Sequence, residues 1–139
     1  MKIDEIMTKD VVCIEPTLPI AKAAEKMRHL DIGFLPICEN DRLIGAVTDR
    51  DITVRSVAQG RDPRLAPVRE IMTQEIFYSY DDEDVERVAE YMQEKEVRRL
   101  VILNRGKRLV GVVSLGDIAK ARDEQELAGE TLGDIAEAA

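Results

Sequence analysis

An internal duplication constrains this chain of 139 residues more than any other feature of it. Ile6-Met7-Thr8 recurs as Ile71-Met72-Thr73, an offset of 65 residues that one later insertion raises to 66. The further matches are Ala24 with Ala89, Met27 with Met92, Leu35 with Leu100, Ile37 with Ile102, Gly45 with Gly111 and Asp51 with Asp117. A repeat that preserves spacing and order predicts two copies of one structural unit.

Each copy has the pattern strand, helix, strand, strand, helix. In the first copy an apolar run over 11–14 predicts a strand, and apolar positions spaced by three and four then predict a helix with Thr17 as its N-cap. Two strands, 34–38 and 43–47, are expected to form a hairpin before a second helix. The second copy repeats this with strands at 76–78, 100–103 and 109–113. Its acidic run 81–84 is expected to cap and solvate the helix, with a metal site as the alternative.

The fold class that follows is α+β, with two pseudo-symmetric β-α-β-β-α repeats packed sheet to sheet. Units of about 50–60 residues are marginally stable alone, so the copies are expected to share a core. We expect repeats over 1–60 and 69–125, a proline-containing linker over 61–68 and a tail over 126–139. The tail is predicted to be helical, and its Leu127, Leu132 and Ile135 are available to pack on the module or to bind a partner.

Composition and charge disfavour several classes of function. A formal net charge of −8 disfavours nucleic-acid binding. No apolar run approaches the roughly 18 residues of a membrane span, and the first residues do not have the pattern of a signal peptide, so the chain is expected to be cytoplasmic. One histidine, His29, gives no convincing zinc set, and a P-loop is absent. We therefore expect no enzymatic activity and no metal.

Cys13 and Cys38 are the only cysteines. Each lies in an apolar run at a predicted strand position. Because free cysteine behaves as a small hydrophobic residue, the pattern predicts two buried, reduced thiols. A disulfide and a metal pair are the alternatives.

Both copies end their last strand with the same short motif. Gly45 to Asp51 and Gly111 to Asp117 each read Gly, two apolar residues, Thr or Ser, two variable residues and Asp. One interpretation is helix capping, with the hydroxyl as N-cap and the Asp at the third helical position. The other adds a ligand, because the Asp carboxylate can accept hydrogen bonds from a ribose diol and the helix N-terminus can bind phosphate. The residues alone leave both open.

The Ile-Met-Thr openings, Leu35-Pro36-Ile37 and the Gly-apolar-apolar-Thr/Ser-x-x-Asp endings resemble a tandem pair of CBS domains, a Bateman module, of the stand-alone prokaryotic type. The resemblance covers nearly the whole chain. It implies a regulatory, adenosine-nucleotide-binding sensor that acts on a partner protein in trans, usually as a homodimer. The ligands it implies are AMP, ADP or ATP, or NAD or S-adenosylmethionine. The alternative is a structural or dimerisation module whose ligand sites have lapsed.

The same resemblance implies two ligand sites, each joining the Thr/Ser-x-x-Asp of one copy to strands of the other. One site would use Thr48, Asp51, Phe77, Tyr78, Val97, Arg98 and Arg99. The other would use Val12, Cys13, Ile32, Gly33, Phe34, Ser114 and Asp117. In each site the Asp would hold the ribose and the apolar residues would enclose the adenine. The paired arginines are expected to favour phosphorylated ligands, because guanidinium offers a planar fork of donors. The Gly33/Phe34 site is expected to take a less charged adenosyl group, the far end of a dinucleotide or nothing.

Overall fold

A computed structural model describes the backbone of residues 1–138 and the side chains of residues 1–126. The helices are α1 (Ile20–Leu30), α2 (Asp49–Asp51), which continues as a π-helix over Ile52–Val57, α3 (Val85–Lys95) and α4 (Leu115–Ala138). The strands are β1 (Phe34–Glu39), β2 (Arg42–Thr48), β3 (Tyr78–Tyr80), β4 (Arg99–Leu103) and β5 (Leu109–Ser114). The predicted α+β class with two related sheets is confirmed.

The two sheets differ at their first strand. The hairpins β1–β2 and β4–β5 are antiparallel, as predicted, and β3 pairs in parallel with β4 to complete a three-stranded sheet. In the first copy the predicted strand over 11–14 is wrong, because this segment makes only one isolated parallel bridge, Ile14 to Ile37. In the second copy the strand begins at Tyr78, two residues later than the predicted 76–78.

Each repeat completes its core with the opening segment of the other repeat. Ile3 is fully buried among the residues of α3, β4 and β5, although it opens the first copy. Val68 and Ile71 open the second copy and lie in the core of the first. Thr8 bridges Val112 in the same way that Thr73 bridges Ala46. The two repeats are therefore interlocked.

Tertiary contacts, and not local side chains, cap the helices α1 and α3. Thr17 is not the N-cap of α1, so that prediction is wrong. The position belongs to Pro19, and the Ile20 N–H donates to the Ala66 carbonyl at 2.9 Å. At the equivalent point of α3, the Val85 N–H donates to the Met1 carbonyl at 2.9 Å. In both cases the acceptor carbonyl lies at or just before the opening segment of the other repeat, called here the exchanged segment. A contact between distant parts of the chain therefore sets where each helix begins.

The acidic run 81–84 is held by basic side chains from other segments. Asp84 is the N-cap residue of α3 but makes no side-chain cap bond, and its carboxylate instead lies 3.1 Å from Lys2 Nζ. Arg105 donates two hydrogen bonds to Asp82, at 2.9 and 2.8 Å. These bonds from Arg105 hold the pKa of the Asp82 carboxyl below its ordinary value of 3.8. The run thus fastens α3 to the N-terminal segment and to the β4–β5 turn.

The prediction of buried, reduced cysteines is wrong. Cys13 and Cys38 form a disulfide, with an S–S distance of 2.09 Å and a Cα–Cα distance of 6.0 Å. Side chains alternate between the two faces of extended chain, and here Ile14 and Ile37 take the inward positions. Their neighbours Cys13 and Cys38 consequently point outward, where Cys13 is exposed and Cys38 is half-buried.

Helix α4 extends from the second repeat through the predicted tail to Ala138. The contacts expected of Leu127, Leu132 and Ile135 lie outside the side chains that the structure describes. Among the described residues, none of the helices combines the length and the apolar character needed to cross a membrane.

Candidate functional site

The two Thr/Ser-x-x-Asp motifs form reciprocal capping boxes. The Asp51 N–H donates to Thr48 Oγ1 and the Thr48 N–H donates to the Asp51 carboxylate, both at 3.0 Å. Ser114 and Asp117 repeat the arrangement at 3.1 and 2.9 Å. Each cap bond uses one carboxylate oxygen, so the second oxygen is left for another donor. The capping interpretation is therefore correct and does not exclude the ligand interpretation.

The second oxygen has a different neighbour in the two repeats. Arg55 Nε lies 3.8 Å from Asp51 Oδ1, and the Asp51 side chain is only 12% exposed. The residue equivalent to Arg55 in the second repeat is Ala121, which carries no charge. Among the side chains that the structure describes, Asp117 therefore has no such counter-ion from its own helix.

A cavity of about 470 Å³ lies between the repeats, next to Ser114 and Asp117. Its size is within the range of pockets that hold small organic ligands. Six of the seven residues predicted for the Gly33/Phe34 site line it: Val12, Ile32, Gly33, Phe34, Ser114 and Asp117. The seventh, Cys13, does not, because its side chain turns outward into the disulfide and borders a separate depression beside Leu18 and Lys26.

Arg99 lines this cavity as well, although the sequence assigned it to the other site. Its guanidinium carbon lies 5.3 Å from the centre of the Phe34 ring. Phe34 and Arg99 are equivalent residues of the two repeats, separated by the offset of 65. Equivalent residues that touch must lie near the pseudo-twofold axis. Of the two adjacent arginines, Arg99 is thus the one that borders the cavity of Ser114 and Asp117.

The remaining residues of the predicted arginine site have neighbours of their own. Phe77 packs edge-on against Tyr91 at a ring separation of 6.4 Å, and Lys95 Nζ lies 5.6 Å from the Phe77 ring centre. Tyr78 packs edge-on against Tyr80. Val97 packs against the second core, and exposed Arg98 accepts the Leu115 N–H through its carbonyl. The aromatic side chains of this set therefore pack against aromatic and basic side chains of the second repeat itself.

Charge distinguishes the two sets of equivalent residues. The cavity beside Asp117 is lined by three acidic residues, Asp10, Asp31 and Asp117, and by a single basic one, Arg99. At the offsets of the repeat, Leu30, Gly33 and Ala121 correspond to the basic Lys95, Arg98 and Arg55, whereas Arg99 corresponds to the neutral Phe34. The three acidic positions correspond to Glu75, Glu96 and Asp51 and stay acidic.

Sequence reasoning missed several residues that line the cavity. These are Thr8, Asp10, Val11, Leu30, Asp31, Pro36 and Val112. The recurrence of Ile-Met-Thr was a usable signal for Thr8, because a motif repeated at the start of both copies suggests a shared structural role. Asp31 ends α1 in the left-handed conformation, with a φ of 54°, and its equivalent Glu96 has a φ of 57°. A non-glycine residue in that region is not evident from sequence.

Within the described residues, no group of three His, Cys, Asp or Glu side chains is arranged to hold a metal ion. His29 lies exposed on α1, and both cysteines are joined to each other.

Comparison with known proteins identifies relatives along nearly the whole chain. The family model for the CBS domain matches twice, over residues 3–57 and 68–124. The CBS domain-containing protein YhcV of Bacillus subtilis is 36% identical over 133 residues, which are 96% of this chain and 94% of YhcV. Hypoxic response protein 1 of Mycobacterium tuberculosis is 37% identical over 124 residues, 88% of this chain and 86% of that protein.

Solved structures show the same architecture. A crystal structure of hypoxic response protein I with two coordinated zinc ions superposes with a TM-score of 0.77 at 37% identity, covering 86% of this chain and 98% of the other. The CBS domain pair of protein MJ0100, in complex with 5'-methylthioadenosine and S-adenosyl-L-methionine, gives a TM-score of 0.79 at 25% identity. That match covers 90% of this chain and 98% of the other.

Proposed function

This chain belongs to the CBS-domain family, whose paired domains are regulatory modules that bind adenosine-containing ligands, and we propose that it binds such a ligand in the cavity beside Asp117. One observation carries the proposal: a cavity of about 470 Å³ between the repeats is lined both by apolar side chains and by the Ser114/Asp117 capping box. We further propose that the chain is a sensor that acts on a partner protein in trans, and that it is not an enzyme.

The lining matches the parts of an adenosyl group. Val12, Ile32 and Phe34 supply apolar surface for the adenine ring. Asp117 supplies a carboxylate oxygen for the ribose diol, and such charge-assisted hydrogen bonds are stronger than neutral ones. Together these groups supply the few convergent polar atoms and the apolar walls that are typical of ligand sites.

The charge of the cavity narrows the choice of ligand. Three carboxylates and one guanidinium repel a polyphosphate and attract a cation. We therefore propose an adenosyl ligand with a positive or neutral tail, such as S-adenosylmethionine or 5'-methylthioadenosine, in preference to ADP or ATP. For the cleft of Thr48 and Asp51, where Arg98, Arg55 and Lys95 add positive charge, we propose a phosphorylated ligand such as AMP, ADP or one end of NAD.

The test is calorimetric titration with S-adenosylmethionine, 5'-methylthioadenosine, AMP, ADP, ATP and NAD. Asp117→Asn keeps an oxygen that can accept the Ser114 N–H but removes the charge, so affinity for S-adenosylmethionine should fall about tenfold or more, the value of one charged hydrogen bond. Asp51→Asn is the matched control, since it makes the same change in the equivalent capping box. It should leave this affinity within about twofold and weaken AMP binding instead.

Two outcomes would contradict the proposal. If Asp51→Asn and not Asp117→Asn weakened S-adenosylmethionine, the assignment of ligands to clefts would be wrong. If no adenosine compound at millimolar concentration bound or raised the melting temperature, the chain would be a structural module with lapsed sites, because any ligand selective for the native state stabilises it.

We also propose that the chain forms a homodimer through its helical faces. Val54 and Val57 on the helical turns after α2 are 46% and 66% exposed, which leaves apolar surface available to a second copy. Light scattering should give twice the chain mass of 15.6 kDa, and Val57→Glu should shift the population toward monomer. A monomer at high concentration in the unsubstituted protein would refute the dimer.

A further inference from the structure

We propose that the Cys13–Cys38 disulfide is a redox-sensitive clamp on one wall of the Asp117 cavity, so that its reduction loosens residues 9–13 and weakens ligand binding there. The loosening rests on the fold alone. The loss of affinity rests also on the proposed function of the cavity.

The second repeat shows what the disulfide replaces. Tyr78, Ser79 and Tyr80 pair with Val101, Ile102 and Leu103 in a parallel ladder. At the offset of 65 residues, the pair Ser79 and Ile102 corresponds to Ile14 and Ile37, the only bridge that this segment makes with β1. The positions of Cys13 and Cys38 are taken in the second repeat by Tyr78 and Leu103, which belong to the ladder. The first repeat therefore has a covalent link where the second has backbone pairing.

Pro36 explains why the ladder stops in the first repeat. The Ile14 N–H donates to the Pro36 carbonyl and the Cys38 N–H donates to the Ile14 carbonyl, both at 2.9 Å. Because backbone groups of alternate residues face the same side of a strand, the nitrogen of Pro36 faces this segment just as that of Cys38 does. Proline has no amide hydrogen, so it cannot donate to residue 12. Val101, its equivalent, has that hydrogen.

The segment that loses this support is a wall of the cavity. Asp10, Val11 and Val12 line the cavity, and Cys13 follows them directly. The segment is otherwise held at two points, by Thr8, which exchanges two hydrogen bonds with Val112, and by Ile14 on β1. Between these points, only the disulfide ties it covalently to β1, where Phe34 and Pro36 form another part of the lining.

The bond is open to a solution reductant, because Cys13 is exposed and Cys38 is half-buried. A thiolate of a dithiol attacks the Cys13 sulfur, forms a mixed disulfide and releases the Cys38 thiolate, which takes a proton from water. The second thiol of the reagent then displaces Cys13 and closes its own disulfide. The protein gains two electrons and two protons, and the dithiol is oxidised.

The first arm of the test is hydrogen exchange of the full chain, oxidised and after treatment with dithiothreitol. Exchange of the amides over 9–14 should accelerate at least fivefold on reduction. The amides over 78–80, in the paired strand of the second repeat, provide the internal control and should not change, since backbone pairing holds this strand in both states. Equal exchange rates over 9–14 in the two states would contradict the proposal that the disulfide holds this segment.

The second arm is titration with S-adenosylmethionine in both redox states. Affinity should fall about tenfold on reduction, and AMP binding at the Thr48 cleft should stay within about twofold. The double variant Cys13→Ser/Cys38→Ser should behave like the reduced protein and should not respond to dithiothreitol. Equal affinity in the two states would refute this inference and leave the proposed function intact. Absence of binding in both states would refute the proposed function and the ligand part of this inference together. The hydrogen-exchange arm would still test whether the disulfide holds residues 9–13.

Discussion

Gly45 and Gly111 are the residues at which the interlocking of the two repeats is most tightly constrained. A Cβ at Gly111 would lie 2.5 Å from Met7 Sδ and 2.9 Å from the Thr8 carbonyl oxygen. At Gly45 it would lie 2.7 Å from Met72 Sδ and 3.0 Å from the Thr73 carbonyl oxygen. In each case the repeated glycine therefore packs against a repeated Ile-Met-Thr segment. Both motifs are visible in the sequence, but their contact is not.

Gly111→Ala should destabilise the protein by about 1–3 kcal/mol, the usual cost of overpacking. The methionine can move away, but the Thr8 carbonyl cannot, because two hydrogen bonds with Val112 hold that backbone. Urea denaturation measures the effect. Gly116→Ala is the control: its Cβ would meet only Ser114 Oγ, at 3.6 Å in an α-helix, and should stabilise by up to about 1 kcal/mol. Equal effects of the two substitutions would contradict this account.

At the scale of elements, the hairpins were predictable and the first strands and helix starts were not. Strand β1 extends the predicted 34–38 by one residue at its C-terminal end, and β2 extends the predicted 43–47 by one residue at each end. The agreement is close because alternation and turn chemistry are local signals. The segment over 11–14 has the same apolar character but its pairing depends on Pro36, which is distant in sequence. The starts of α1 and α3 depend on carbonyl groups of Ala66 and Met1 in the exchanged segments.

Ile3→Ala should destabilise the chain by about 2–5 kcal/mol, because Ile3 is fully buried in the second core. Hydrogen exchange should locate the damage in α3 and the β4–β5 hairpin, although Ile3 belongs to the first repeat in sequence. Leu65→Ala, at a position 79% exposed, should change stability by less than about 0.5 kcal/mol. Damage confined to the first repeat would show that the exchanged segment does not complete the second core.

For the whole molecule, the exchange of segments makes two small repeats one cooperative unit. Neither core is complete without a residue from outside its own repeat, Val68 and Ile71 in one case and Ile3 in the other. The two repeats also meet where Arg99 lies over the Phe34 ring, near the pseudo-twofold axis.

Urea unfolding should therefore be a single transition that is the same for both repeats. All three tyrosines, Tyr78, Tyr80 and Tyr91, lie in the second repeat, so tyrosine fluorescence reports on that repeat alone, whereas far-ultraviolet circular dichroism reports on both. The two midpoints should coincide, as two-state unfolding requires. Midpoints that differ would show that the repeats unfold independently.

The sequence by itself determined the duplication, the α+β class, the hairpins and the capping boxes, because each depends on residues close together in the chain or on a repeat visible within it. The family resemblance of the sequence also brought together six residues that line the Asp117 cavity, out of the seven assigned to that site. Only the tertiary structure decided that Arg99 lies with Phe34, that Cys13 faces Cys38 and away from the cavity, and that each core takes a segment from the other repeat. The physical reason is the pseudo-twofold packing of the repeats. It brings residues that are 65 positions apart into contact at the axis and packs the opening segment of each repeat onto the other. Contacts between residues so far apart in the chain leave no local pattern in the sequence.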